Sequence, residues 1–159
     1  MRELQDEAKL RMPWQDVILQ TSVRILIPFI QLFGLYVIVH GHYSPGGGFQ
    51  GGVILGSAII LMALVFGLPA SKHYISENTN KVLSVLGPLV YCGVGALCIL
   101  CGGYFLEYSA LNTIVPLGEI QWHSMGIFLV EVGVGIGVMS IMIRIYRVLS
   151  SAGTIDQGL

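Results

Sequence analysis

The 159-residue chain carries eight Lys/Arg against nine Asp/Glu, with 11% charged and 54% apolar residues and a mean hydropathy of +0.77. Ordinary soluble domains hold roughly 25% charged residues, so this composition excludes a soluble globular enzyme and a disordered chain. Eight bases balanced by nine acids leave no electropositive stripe, which excludes nucleic-acid binding as a main task.

The chain opens on a charged tract, with Arg2, Glu3, Asp6, Glu7, Lys9 and Arg11. This is unlike the apolar core of a secretory signal and reads as a retained cytoplasmic or interfacial segment over residues 1–16. Glu7 and Arg11 stand four apart, as a short surface helix ending before Pro13 would place them.

Four apolar runs follow, and a membrane span needs about 20 such residues. They predict transmembrane helices from Val17 to Val39, Phe49 to Leu68, Val82 to Leu106 and Met125 to Ile143. In hydrocarbon a helix is the only open-ended structure that satisfies its own backbone. The expected fold is therefore all-α. A four-helix membrane domain occupies residues 17–143, and a cytoplasmic tail occupies residues 144–159.

Span one contains Arg24 near its start. A charge inside a span marks a structural anchor, a contact to another chain or part of a polar path. The most unusual stretch comes next: His40-Gly41-His42-Tyr43-Ser44-Pro45-Gly46-Gly47-Gly48-Phe49-Gln50-Gly51-Gly52. Glycines cost chain entropy on ordering, so this density needs a use. One use is a tight outer turn with close packing; the other is irregular backbone lining a polar path. Both stay open on the residues alone.

Between spans two and three lie Lys72, His73 and Lys81, with His73 reading as solvent-facing. Span three carries Gly87-Pro88, a kink signal, and Cys92, Cys98 and Cys101. A lone Cys-x-x-Cys inside an apolar helix has neither a second ligand pair nor an exposed helix N-terminus, so it reads as packing. No metal site or cofactor is expected.

Span four holds Glu131, an acid inside an apolar run. A membrane carboxylate is costly and usually faces protein or water, which makes it a candidate proton or cation relay or a buried structural acid. By depth, Arg24 and Glu131 lie in opposite leaflets, and no direct salt bridge between them is expected. His40, His42 and His123 fall at the outer ends of spans on the side of Glu131. With Glu107 and Glu119 they are candidates for an outer proton relay, or equally for interfacial hydrogen bonding. Gly133 and Gly137, like Gly52 and Gly56, stand four apart and offer small faces for close helix contact in lipid.

The basic residues set the orientation. Arg2, Lys9 and Arg11 precede span one, Lys72 and Lys81 lie between spans two and three, and Arg144 and Arg147 follow span four. The loops after spans one and three hold none, so both termini are expected in the cytoplasm.

The stretch Gly41-His42-Tyr43-Ser44-Pro45-Gly46-Gly47-Gly48-Phe49-Gln50-Gly51-Gly52 resembles the signature of the B subunit of Mrp-type multisubunit sodium/proton antiporters, at the same place between the first two of four spans. Tyr43 stands where that family has Asn, and Gln50 where it has an aliphatic residue. Phe128-Leu129-Val130-Glu131-Val132-Gly133-Val134 is similar to the family's last span. The resemblance covers about residues 17–143. It implies a non-catalytic accessory subunit in a prokaryotic cytoplasmic membrane, surrounded by lipid and by other antiporter subunits. Related subunits occur in membrane-bound hydrogenases and sulfur-reducing complexes, so hydrogenase-like or iron–sulfur partners are a second expectation. In this reading Glu131 titrates, while His42 and the motif Pro45, Gly46, Gly47, Gly48, Phe49, Gly51 and Gly52 shape a sodium or proton path. Two alternatives are a purely structural packing subunit and an autonomous homodimeric transporter.

Overall fold

A computed structural model describes residues 17–41, 46–113 and 119–151. All the regular structure among them is helical: α1 (Val17–Val39), α2 (Gly48–Phe66), α3 (Leu68–Tyr74), α4 (Glu77–Leu100), a 3-10 helix (Tyr108–Thr113) and α5 (Glu119–Ser150). Helices α1, α2, α4 and α5 are each long and apolar enough to cross a membrane. The charged N-terminal tract and the end of the C-terminal tail lie outside the described residues.

The first expected span coincides with α1, and the second differs by two residues or fewer at each end. The third is displaced. Helix α4 starts at Glu77 rather than Val82 and ends at Leu100 rather than Leu106. Its start is fixed by Ser76, whose hydroxyl accepts from the Thr79 amide at 3.2 Å and satisfies one of the open N–H groups of the first turn. Its end is fixed at Gly102, which adopts φ 85°, a left-handed conformation that terminates helices. Hydropathy misses both because caps are polar or small. The segment between α2 and α4, read as a loop, is largely the short helix α3; Gly67, with φ 84°, makes the break before it.

Packing follows a simple order. Helix α2 lies between α1 and α5, and α5 lies between α2 and α4. Val23 and Ile27 of α1 pack on Met62 and Val65 of α2, so the start of α1 meets the end of α2. Near the other end Val94 and Cys98 of α4 pack with Tyr108 and Leu111 of the 3-10 helix, with Trp122 and Ile127 of α5 against them. Cys98 is fully buried there, and Cys92 and Cys101 are also free thiols. Many large apolar side chains of α1, among them Phe29, Leu32 and Phe33, stay exposed, as a surface facing lipid or other subunits requires.

Candidate functional site

The glycines explain how α5 serves two neighbours at once. At 100° per residue, positions four apart share a face and positions two apart oppose each other. Gly135 therefore faces one way, and Gly133 and Gly137 the other. Toward α2, a Cβ on Gly52 would stand 2.5 Å from the Gly135 carbonyl oxygen, and one on Gly56 would stand 3.4 Å from that of Met139. Toward α4, a Cβ on Gly87 would collide with Gly137 and stand 2.8 Å from the Gly133 carbonyl oxygen. Backbone meets backbone on both sides, which is the contact small residues permit in lipid.

The α2-facing stripe runs Glu131, Gly135, Met139, matched by Gly48, Gly52 and Gly56. Glu131 thus lies one turn beyond Gly135, level with the end of α1 and the start of α2. A Cβ on Gly48 would collide with its backbone carbonyl. A Cβ on Gly41 would stand 2.6 Å from both carboxylate oxygens, and one on Gly47 2.7 Å from Oε1. Oε2 is wholly shielded from solvent. The carboxylate fills space that any other residue at positions 41 and 47 would claim.

Gly47 is also the N-cap of α2. The first amides of a helix have no partner within it, and the helix dipole places partial positive charge there, so this end favours an anion. The glycine stretch and Glu131, separate candidates in the sequence, form one constellation: a carboxylate held among backbone groups at a helix N-terminus.

The other candidates fall into place around it. His40 directly precedes Gly41; it is exposed, stacks on Tyr36 with ring centroids 4.1 Å apart, and sets Nδ1 3.1 Å from the Tyr36 carbonyl oxygen. His123 is exposed and lies edge-on to Tyr108 at 5.9 Å. Burial pushes the Tyr108 phenol above its ordinary range, so it stays protonated near neutral pH. Glu107 is used locally: its Oε2 accepts from the Tyr104 amide at 2.7 Å and its Oε1 from Ser109 at 3.4 Å, which ties the loop after α4. His42 and Pro45 lie outside the described residues, and so does the side chain of Glu119. Phe49 is exposed at the start of α2, while Gly51 packs on Ile38 and Gly34 of α1. Gly46 packs against the Gln50 side chain.

Arg24 has no part in this constellation. It lies about 22 Å before Val39 along α1, with its guanidinium 5.7 Å from the centre of the Phe66 ring.

The opposite end of α5 holds a group whose role the sequence did not reveal. Arg147, expected as a flanking cation, is 2% exposed. Its Nη2 donates to the Ser71 carbonyl (2.7 Å), the Ser71 hydroxyl (2.8 Å) and the Ile75 carbonyl (2.9 Å). Nε also reaches the Ser71 hydroxyl (3.2 Å), and Nη1 pairs with Glu77 at 3.3 Å. One guanidinium thereby fastens α3 and the start of α4 to α5. Nearby, the fully buried Asn80 donates to the Ser140 carbonyl at 3.2 Å.

Among known proteins, a family described as "Domain related to MnhB subunit of Na+/H+ antiporter" matches residues 18–144. An antiporter subunit mnhB2 of Staphylococcus aureus (strain Newman) is 33% identical over 136 residues, covering 85% of this chain and 94% of that one. The Staphylococcus haemolyticus mnhB2 is 34% identical over 139 residues, with the same coverage of both chains. A chain in the solved structure of the membrane-bound sulfane sulfur reductase, an archaeal respiratory membrane complex, superposes with a TM-score of 0.51 at 32% identity. That match covers 80% of this chain and 58% of the other. The four apolar helices and these relatives agree: the chain is a multi-pass membrane protein and belongs to the MnhB family of antiporter subunits.

Proposed function

We propose that the chain is a non-catalytic subunit of an Mrp-type cation/proton antiporter module, and that Glu131 is its exchanging group, alternately holding a proton and a cation. The observation that carries this reading is the proximity of both Glu131 carboxylate oxygens to Gly41 and of Oε1 to Gly47. A carboxylate in a low-dielectric setting needs a compensating positive charge or a proton. The α2 N-terminus supplies partial positive charge, and in this reading a sodium ion or a proton adds to it and either can leave. Glycines bring carbonyl and amide groups within reach with no side chain in the way, as a dehydrated cation or a moving proton requires.

The membrane orientation in this reading has both termini in the cytoplasm. Lys81 and Arg144 are exposed at the end of the bundle where α1 begins and α5 finishes, and Lys72 lies on α3 beside them. Such a bias of cations marks the cytoplasmic face of a prokaryotic membrane, so the Glu131 end opens outward. His40, His42 and His123 then pass protons between the outer water and the glycine cradle. The partners are the other antiporter subunits, whether the host is a plain exchanger or a redox-driven complex.

The backbone contacts of Gly48, Gly52 and Gly87 favour a second reading, in which the glycines serve packing alone. Glu131→Gln in the assembled complex separates the two. Our reading expects assembly to persist and cation/proton exchange in proteoliposomes to be lost. Undiminished exchange with normal assembly would leave Glu131 a structural acid.

A further inference from the structure

At the end of the bundle away from Glu131, α1, α2 and α3 enclose a cleft of about 350 Å³ that the exchange reaction does not use. Its polar edge is Arg24, His73 and Tyr74; its walls are Ile27, Pro28, Met62 and Phe66, with Gln31 deeper along α1. We propose that this cleft binds an anionic phospholipid, with the headgroup phosphate on Arg24 and an acyl chain along the apolar wall.

Several observations converge on that occupant. Arg24 lies seven residues, about 10 Å, into an apolar helix, where a guanidinium takes an anionic partner or reaches back to the headgroup level. Among the described residues no carboxylate lines the cleft, and the ion pair between Glu77 and Arg147 is already made. The Phe66 ring lies against the guanidinium, 5.7 Å from its centre, and fixes that group by a cation–π contact while leaving N–H donors for phosphate oxygens. His73 and Tyr74 are exposed near the end of α3, where the chain turns between α2 and α4, so the polar edge is level with headgroups and the apolar wall runs into the hydrocarbon. Basic pockets between transmembrane helices select anionic headgroups in this way. The volume admits a headgroup and the start of one chain. Lipid binding in this cleft requires neither Glu131 nor a particular assignment of inner and outer faces.

The test is native mass spectrometry of the assembled complex after delipidation, with phosphatidylglycerol or phosphatidylcholine added back. The wild type is expected to retain phosphatidylglycerol about fivefold over phosphatidylcholine, the preference one basic residue near a membrane surface confers. Arg24→Gln abolishes that preference and Arg24→Lys keeps part of it. Arg144→Gln, an exposed arginine at the same end, leaves it intact. Should Arg24→Gln fail to assemble, His73→Gln serves as the second variant and weakens the preference. Equal retention of both lipids by the wild type overturns the proposal, as does an unchanged preference in Arg24→Gln. Displacement of the lipid by millimolar inorganic phosphate would identify a free-anion site instead, and a crosslink from position 24 to a neighbouring subunit's carboxylate would identify a protein contact.

Discussion

The two ends of α5 bury opposite charges in opposite ways. Arg147 is surrounded by named acceptors: two atoms of Ser71, the Ile75 carbonyl and the Glu77 carboxylate. Glu131 lies against Gly41 and Gly47, at the capping position of α2. A guanidinium spread over four acceptors from two elements is locked in place, and its charge never has to change. Glu131 is instead a carboxylate set against glycine backbone, where a Cβ at position 41 or 47 would collide with its oxygens. The first arrangement holds the bundle; the second is the one we propose to admit an ion.

Five substitutions test this contrast. The largest loss of stability is expected from Arg147→Ala, which strips Ser71, Ile75 and Glu77 of their shared donor; breaking a buried pair costs about 3 kcal/mol or more. Thermal unfolding of the detergent-solubilised complex, or its yield, reads this. Exchange should fall only in proportion to the amount assembled. Gly48→Ala follows, because its methyl meets the Glu131 backbone carbonyl, which cannot swing aside. Overpacking of that kind costs about 1–3 kcal/mol and should lower both the melting temperature and exchange.

Gly47→Ala is gentler on the fold and harder on function. The one tight contact of its methyl is with the flexible end of the Glu131 side chain, 2.7 Å from Oε1, with the Gly41 Cα at an ordinary 4.0 Å, so the carboxylate moves while the helices stay. Melting within a few degrees of wild type with a marked fall in exchange would confirm the division between cradle and scaffold; normal exchange would break it. His40→Gln and His123→Gln are the mildest. Both residues are exposed, so stability should change by about 0.5 kcal/mol or less, with exchange slowed less than in any cradle variant.

Much of this architecture is legible in the sequence. Long apolar runs locate the spans because lipid allows few alternatives to a helix. The ends of α4 are not legible, because Ser76 and Gly102 act through local hydrogen bonding and backbone conformation that hydropathy does not weigh. Arg147 reads as one more flanking cation, since its partners are about 70 residues away and only the packed bundle brings them to it. The cradle is an intermediate case. Glu131 and the glycine stretch both stand out, and both fall near the same face of the membrane. Their union was readable in the four-residue spacing of Glu131, Gly135 and Met139 against Gly48, Gly52 and Gly56. The pair Gly133 and Gly137 is more conspicuous, but it faces α4.

The central claim is that Glu131 gives up a proton when a cation arrives. Infrared difference spectroscopy of the assembled complex, recorded on sodium addition at constant pH, tests it most directly. A protonated carboxyl C=O band should be lost in the wild type, and no such band should appear in Glu131→Gln. A difference spectrum with the same carboxyl band in both proteins would contradict it, because the proton would then belong to another residue.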